Sequence, residues 1–362
     1  MECFPEGNAI IYCDKAFNTT NGKTAHGLVR RTERYNILSV IDSSLAGMDA
    51  GEILNNKPCG IPVLPDLNSA LDDAAERGIG PTHFVIGIAP EGGRLDSETK
   101  EAVKEAIKHG LNVDCALHDL LSEDEEIRSL ADDNHIILRD IRKTPERKDL
   151  HFFSGKIEQV DSLKIAVLGT DSAVGKRTTC WILIDALKKA GITAEMTGTG
   201  QTAWMQGAEY SIMLDSLIND FVSGEIEHAV WSAWNETRAD VIIIEGQGSL
   251  MNPAFPGGFE ILAAARPDMI ILQHAPARKF YDGFPGCPFH PVSSQISAIQ
   301  LISGKPVAAL TINHENIPLV ELDRVCSRLQ SETGIPAFDV CINGADEIVS
   351  IIKMRLRPAK NT

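Results

Sequence analysis

The stretch KIAVLGTDSAVGKRTT, residues 164–179, decides the fold of the second half of the chain. An apolar, β-branched run ends at Gly169, a glycine-bearing turn follows, and the residues after Lys176, RTTCWILIDALKKAG, are typical of a helix. A strand, a glycine turn, a Gly-Lys pair and a helix in this order indicate a phosphate-binding loop, because backbone N–H groups and a helix N-terminus then face one anion. The predicted phosphate-binding residues are Gly169, Thr170, Asp171, Ser172, Ala173, Val174, Gly175, Lys176, Arg177 and Thr178.

Two positions of this loop depart from the usual pattern, which has four residues before the Gly-Lys pair and a Ser or Thr after it. Here five residues, TDSAV, separate Gly169 from Gly175, and Arg177 follows Lys176. The missing Ser or Thr normally binds the magnesium ion that bridges two phosphates during phosphoryl transfer. Arg177 cannot bind a metal, and Thr178 points about 100° further round the helix. The loop therefore predicts that phosphates are bound, by Lys176 and Arg177, rather than hydrolysed.

On both sides of the loop, short apolar runs alternate with helical stretches, which predicts an α/β protein with parallel sheets and helices on both faces. In the first half we predict helices at 67–78 and 97–110, the second capped by Ser97, and strands at 9–14, 36–42, 82–89 and 111–118. In the second half we predict strands at 163–169, 192–198, 240–246, 268–274, 306–313 and 336–341. The polar segment between the two series has no sustained period, so we place a first domain at 1–145, a linker at 146–162 and a second domain at 163–362.

Composition narrows the class of protein. The chain has 362 residues and a formal net charge of −16, which disfavours nucleic acid and anionic membranes as partners. No apolar run approaches the roughly 18 residues of a membrane span, and the N-terminus shows no signal-peptide pattern. The eight cysteines form neither a CxxC pair nor a zinc-ligand spacing. We therefore expect a cytoplasmic protein with free thiols and no bound metal.

Polar residues gather where strands of the second half end, which is where open α/β sheets bind their ligands. Glu245 and His274 each end an apolar strand and are the candidate catalytic residues. A cationic pair, Arg278 and Lys279, follows His274 and can bind an acidic substrate in this acidic chain. The candidate substrate-binding residues are Gln201, Thr202, Gly246, Gln247, Gly248, Ser249, Arg278, Lys279 and Asn313. Asp215 and Asp220 are second-rank candidates, since positions i and i+5 do not share a helix face.

Seven motifs in order resemble the D-glutamate N-acetyltransferase-like family: GKTAHGLVRRTERYNILSVID, GIAPEGGRL, GTDSAVGKRTT, TGQT, DFVSGEIEHAV, EGQGSL and QHAPAR. This family was long filed as a domain of unknown function. The resemblance implies a Rossmann-like N-terminal domain followed by a P-loop NTPase-like C-terminal domain with an open, mostly parallel sheet. It also implies an enzyme that moves an acetyl group from acetyl-CoA, as co-substrate, to the amine of an acidic amino acid, with D-glutamate as the expected acceptor. Coenzyme A carries phosphates that are bound but not broken, which suits this loop.

In that reaction the acceptor amine needs a base, and Glu245 is favoured over His274 because of its strand-tip position. The backbone of residues 246–249, or Thr202, can donate to the tetrahedral oxyanion. Arg278 and Lys279 would hold the carboxylates of the amino acid. We further expect a homo-oligomer, a dimer or higher, in which the N-terminal domain either walls the substrate cleft or forms the interface.

Two other functions stay open. The spacing of five residues between Gly169 and Gly175 is similar to that of dethiobiotin synthetase. This similarity implies, as the first alternative, a ligase or kinase that depends on magnesium and ATP. Lys176 would then contact the transferred phosphate, Thr178 would be a shifted metal ligand, and Glu245 or Asp215 would be the acidic partner. The second alternative is a non-catalytic nucleotide sensor.

Overall fold

The chain forms two compact α/β units in a computed structural model that describes residues 5–356. The first unit contains the described residues up to Thr144 together with Gln201–Gly207, and the second contains Pro145–Gly200 and the described residues from Ala208 onward. The sequence-based division differs in two ways. It placed residues 201–207 in the second domain, and it treated as a linker the residues 146–162, which here fold with the second unit. No helix within residues 5–356 is both long enough and apolar enough to span a membrane.

The first unit is built on a six-stranded sheet in the order β3-β2-β1-β4-β5-β6, in which every paired strand is parallel. This is the Rossmann strand order, in which the direction of connection reverses between β1 and β4. Its strands are β1 (Gly7–Tyr12), β2 (Tyr35–Ile41), β3 (Val63–Leu64), β4 (His83–Ile86), β5 (Asn112–Cys115) and β6 (Leu138–Asp140). Its helices before Thr144 are α1 (Lys23–Arg30), α2 (Ala50–Asn55), α3 (Leu67–Glu76), α4 (Ser97–Lys108) and α5 (Glu125–Asp133).

The predicted elements of the first half are confirmed with shifted ends. Strands β1 and β2 begin and end one or two residues earlier than predicted, whereas β4 and β5 are shorter than the apolar runs suggested. The predicted cap of the second helix is wrong by one residue. The carboxylate of Asp96 accepts a hydrogen bond of 2.7 Å from the N–H of Thr99, and Ser97 is already the first helical residue. Asp96 caps the helix because its extended backbone brings an acceptor to the free N–H groups of the first turn.

The second unit is built on a seven-stranded parallel sheet in the order β15-β14-β11-β7-β10-β8-β9. Its strands are β7 (Leu163–Gly169), β8 (Ala194–Gly198), β9 (Tyr210–Ser211), β10 (Val241–Glu245), β11 (Met269–His274), β14 (Val307–Ile312) and β15 (Ala337–Phe338). A strand lies in each predicted segment, but the last one is much shorter than the predicted 336–341, because a helix begins at Val340. Its helices are α6 (Lys176–Lys189), α8 (Asn219–Thr237), α9 (Gly258–Ala265), α10 (Val292–Ser303), α11 (Leu322–Thr333), α12 (Val340–Asn343) and α13 (Asp346–Lys353). A separate antiparallel hairpin consists of β12 (Phe280–Tyr281) and β13 (Phe284–Pro288).

The remaining helix, α7 (Gln201–Met205), belongs to the first unit although it follows β8 in the chain. Met205 is fully buried in the core of the first unit. The side chain of Gln206 donates to the carbonyl oxygens of Gly27, at 2.7 Å, and Arg31, at 3.0 Å. The guanidinium of Arg34 lies 3.8 Å from the ring centre of Trp204. The first unit is therefore completed by a segment from the second half of the chain.

The strand order of the second unit positions the candidate site. Strand β7 lies between β10 and β11, and all three are parallel. Their carboxyl ends, Gly169, Glu245 and His274, therefore lie side by side at one edge of the sheet.

Candidate functional site

The phosphate loop leads directly from the central strand into a helix. β7 ends at Gly169, and α6 begins at Lys176. A Cβ atom on Gly169 would lie 2.8 Å from both Cδ and Nζ of Lys176, so a larger residue here would displace the lysine side chain from its place over the strand end. The loop is thus shaped around the Lys176 side chain.

Lys176 joins the phosphate loop to the loop that follows β10. Its Nζ donates to the backbone oxygen of Asp171 at 2.8 Å and to that of Gly248 at 2.9 Å. Burial lowers the pKa of Lys176 to about 8, although the nearby carboxylates of Glu245 and Asp171 oppose this shift. A bound anion would replace the lost hydration and favour the charged lysine.

Glu245 is buried at the tip of β10. Its Oε2 accepts a hydrogen bond of 3.0 Å from the N–H of Thr199, which follows β8. Burial raises the pKa of Glu245, and the positive charges of Arg177 and Lys176 act in the opposite direction. The carboxyl group therefore holds a proton more readily than an exposed one.

Asp171 is the central acceptor of the phosphate loop and is fully buried. Its Oδ1 accepts from the N–H of Ser172 at 2.7 Å and from the side-chain amide of Asn252 at 2.8 Å. Its Oδ2 accepts from Arg278 at 2.8 Å and from the N–H of Asp282 at 2.9 Å. Asp171 therefore ties the loop to the chain segments that follow β10 and β11.

Arg278 lies at the site, but its five N–H donors are all hydrogen-bonded to the protein. Nη1 donates to Asp171 and to the backbone oxygen of Ser172 at 2.7 Å, and Nη2 donates to the backbone oxygen of Ala173 at 3.3 Å. The carboxylate of Glu315 accepts from Nε at 2.6 Å and from Nη2 at 3.1 Å. Burial opposes the charge of Arg278, yet its hydrogen bonds to Glu315 and Asp171 raise its pKa. In this arrangement Arg278 orders the phosphate loop, whereas the sequence analysis assigned it to the substrate carboxylates.

His274, at the end of β11, lies behind the phosphate loop. Its Nδ1 is hydrogen-bonded to the hydroxyl of Thr170 at 3.0 Å, and its ring stacks on Phe289 with centres 5.8 Å apart. Burial lowers the pKa of His274 to about 4. The imidazole is therefore neutral at physiological pH and is held in place on two sides.

Other predicted residues are distributed more widely. Lys279 and Thr178 are exposed, whereas Gln247 and Arg177 are half-buried. Ser249 is buried, and its hydroxyl accepts from the N–H of Asn252 at 3.1 Å. In the part of the chain that the structure describes, no group of three or more His, Cys, Asp or Glu side chains is arranged to hold a metal ion.

The last predicted residues take on local roles. The side chain of Asn313 pairs with Glu315, whose N–H donates to its Oδ1 at 3.0 Å. Gln201 and Thr202 lie in α7 of the first unit, where the hydroxyl of Thr202 is 3.5 Å from that of Thr24. Asp215 and Asp220 are both exposed, and they fall on either side of the start of α8.

The sequence analysis missed several residues that build the site. Asn252 and Glu315 order the phosphate loop through Asp171 and Arg278. Gln273 is buried beneath the loop, and its Oε1 accepts hydrogen bonds of 2.5 Å from the hydroxyls of both Thr179 and Thr311. Gln273 could have been predicted as a site residue, because it is polar and lies next to His274 at a strand end. Asn252 and Glu315 could not, because they lie in loops without a distinctive sequence pattern.

Two family descriptions match this chain. "Domain of unknown function (DUF1611_N) Rossmann-like domain" matches residues 43–144, and "Domain of unknown function (DUF1611_C) P-loop domain" matches residues 151–349. The crystal structure of a DUF1611 family protein from Anabaena variabilis is similar, with a TM-score of 0.88 and 26% sequence identity over 96% of this chain and 99% of that chain.

Two curated relatives carry the name D-glutamate N-acetyltransferase. The protein from Pseudoalteromonas sp is 31% identical over 312 residues, which cover 84% of this chain and 90% of the relative. The protein from Tritonibacter scottomollicae is 25% identical over 283 residues, which cover 76% of this chain and 82% of the relative. The family descriptions show that this chain belongs to the DUF1611 family of Rossmann-like and P-loop proteins, as the resemblance of its sequence motifs had indicated.

Proposed function

We propose that this protein is an N-acetyltransferase that moves the acetyl group of acetyl-CoA to the amine of an acidic amino acid, with D-glutamate as the first candidate. The names of the two curated relatives support the acetyl transfer and the acceptor. The observation that carries the proposal for this chain is the phosphate loop. It keeps its glycine turn, its helix N-terminus and Lys176, while Arg177 occupies the position of the metal-binding hydroxyl and Thr178 is exposed. Such a loop suits phosphates that are held without being transferred, as those of coenzyme A are.

In this proposal Lys176 and the loop N–H groups bind the phosphates of acetyl-CoA. The Nζ of Lys176 already contacts the loops after β7 and β10, so an anion placed between these loops would complete its coordination. Asp171 and Arg278 act indirectly, by fixing the backbone of the loop.

Glu245 is the general base. The acceptor enters as an ammonium ion, and Glu245 takes one of its protons, which leaves a neutral amine with a free electron pair. The amine nitrogen attacks the thioester carbonyl carbon, and the new C–N bond forms. The C–S bond then breaks, and coenzyme A leaves as a thiolate that takes up the second proton lost by the nitrogen. The raised pKa of Glu245 favours this proton transfer, because it reduces the difference between the pKa of the base and that of the ammonium group. Backbone N–H groups of residues 246–249 are the proposed donors to the oxyanion of the intermediate.

His274 is less suited to this role. Its Nδ1 is hydrogen-bonded to Thr170, its ring packs on Phe289, and its pKa of about 4 makes it a weak base. We assign it to support of the phosphate loop.

The direct test is acetyl transfer by the purified protein. Acetyl-CoA is mixed with D-glutamate or L-glutamate, and the release of free thiol is followed together with the formation of the N-acetyl product. We expect release that depends on one glutamate isomer and that needs neither ATP nor magnesium. Failure with both isomers and with a panel of amino acids, or turnover of ATP with magnesium instead, would contradict the proposal.

A further inference from the structure

The end of β8 carries two buried hydroxyl groups that the proposed reaction has not yet used. Thr197 and Thr199 are fully buried, and among the described residues neither hydroxyl makes a hydrogen bond of normal geometry. The hydroxyl of Thr199 nevertheless lies close enough to the carboxylate of Glu245 to help lower the pKa of that group. Buried side-chain hydroxyls in folded proteins are nearly always hydrogen-bonded, and an exception requires an explanation such as a ligand.

Thr199 differs from Thr197 in its relation to the candidate base. The N–H of Thr199 donates to Oε2 of Glu245 at 3.0 Å, which fixes the residue against the carboxylate. Thr197 lies two residues earlier, inside β8, where it pairs in register with Ile244 of β10. Only Thr199 therefore combines a buried hydroxyl that lacks a well-formed hydrogen bond with a direct backbone contact to Glu245.

We infer that the hydroxyl of Thr199 binds the amine of the acceptor amino acid. This inference rests on the proposed function, in which Glu245 takes a proton from that amine. The ammonium group of the acceptor donates one N–H to Glu245 and a second to the hydroxyl oxygen of Thr199. After one proton has passed to Glu245, Thr199 still holds an N–H, and the electron pair of the nitrogen is directed at the thioester carbon. The C–N bond then forms, the C–S bond breaks, and coenzyme A leaves as a thiolate that takes up the second proton lost by the nitrogen.

The test compares ligands with and without the amine, in the absence of acetyl-CoA. Calorimetric titration measures the affinity for D-glutamate and for glutarate, which has the same carboxylates but no amine. We expect Thr199→Val to weaken D-glutamate binding about tenfold, as for one lost hydrogen bond to a charged group, and to leave glutarate binding unchanged. Thr199→Ser, which keeps the hydroxyl, is expected to bind like the wild type. Thr197→Val is the matched control, with wild-type affinity for both ligands.

Thermal unfolding of the ligand-free variants separates this role from a structural one. Because the hydroxyl of Thr199 makes no hydrogen bond of normal geometry within the protein, we expect Thr199→Val to leave the melting temperature close to that of the wild type. A lower melting temperature, equal loss of affinity for both ligands, or wild-type binding of D-glutamate by Thr199→Val would overturn the inference. So would a wild-type protein that binds no D-glutamate. A wild type that binds D-glutamate without transferring acetyl groups would refute the proposed reaction, and the binding comparison would still decide the role of Thr199.

Discussion

At the scale of single residues, Lys176 combines deep burial with a proposed role that requires a positive charge. Its pKa of about 8 lies below the ordinary lysine value of 10.5, because burial penalises the charged form. Below about pH 8 the free protein already carries the charge that phosphates need. Above this pH the lysine is neutral, and binding of an anion must bring a proton with it.

We therefore expect the affinity for coenzyme A to fall as the pH rises above about 8, by up to roughly tenfold per pH unit. Calorimetric titrations from about pH 7 to about pH 10 measure this dependence and the proton uptake that accompanies it. Lys176→Ala is the control, which should bind more weakly and lose this pH dependence. A dissociation constant that stays flat over this range would show that Lys176 does not supply the charge.

Glu245 is the second residue whose role can be isolated. Glu245→Gln keeps the shape of the side chain and an oxygen for the N–H of Thr199, but it cannot accept a proton. We expect turnover to fall by about 10²–10⁴-fold, the usual contribution of a general base. Coenzyme A binding and the melting temperature should change little, because the raised pKa of Glu245 shows that its charge is a cost in the folded protein.

The pH dependence of kcat/KM tests the role of Glu245 independently. Because burial raises the pKa of Glu245 above its ordinary value of 4.5, the acid limb of kcat/KM should lie at higher pH than that of an exposed carboxylate. If Glu245→Gln kept the turnover of the wild type and the same loss of kcat/KM at low pH, another group would be the base.

At the scale of structural elements, the loop after β10 determines whether Lys176 is held in place. The backbone oxygen of Gly248 accepts one of the two hydrogen bonds of Lys176. Gly248 has a φ of +54°, and a Cβ atom at this position would overlap the carbonyl oxygen of Phe255. Glycine is therefore required here both by the backbone conformation and by the close approach of another segment.

We expect Gly248→Ala to destabilise the protein by about 1–3 kcal/mol and to weaken coenzyme A binding, because the loop must move away from Lys176. Thermal unfolding and coenzyme A titration measure the two effects. Gly286→Ala is the matched control, since a Cβ atom on Gly286 of the β12–β13 hairpin would meet no atom within 4 Å. Equal effects of the two substitutions would show that the geometry of the loop after β10 is not important.

At the scale of the whole molecule, the first unit depends on a segment from the second half of the sequence. Trp204 lies in the segment 201–207, and the guanidinium groups of Arg34 and Arg139 lie 3.8 Å and 5.1 Å from its ring centre. The backbone oxygen of Trp204 also accepts from Nε of Arg34 at 2.8 Å. The aromatic ring therefore contributes both apolar area and a cation–π interaction to the first unit.

We expect Trp204→Ala to destabilise the first unit by about 3 kcal/mol. Hydrogen exchange followed by mass spectrometry should show faster exchange in strands β1 to β6 than in the wild type. Trp234→Ala is the control, since Trp234 forms a comparable pair with Arg238, at 4.0 Å, within the second unit. Faster exchange confined to the second unit in Trp204→Ala would contradict the assignment of this segment.

The sequence by itself determined the features that depend on neighbouring residues. Apolar runs of β-branched residues predicted the long strands of both sheets, and the contiguous segment from Gly169 to Thr178 predicted the glycine-bearing turn between β7 and α6. The position of Glu245 at the end of β10 could also be predicted, because Glu245 directly follows an apolar run and precedes a glycine. In each case the relevant physical property, side-chain alternation or backbone freedom, is fixed within a few residues of the chain.

Only the tertiary structure decided which group each polar side chain contacts. Arg278 supports the phosphate loop instead of remaining free for a substrate, since its partners Asp171 and Glu315 come from distant segments. His274 becomes a neutral, packed residue, and the segment 201–207 joins the first unit. A hydrogen bond or a pKa shift depends on atoms that folding brings together from far along the chain, and local sequence does not specify these neighbours.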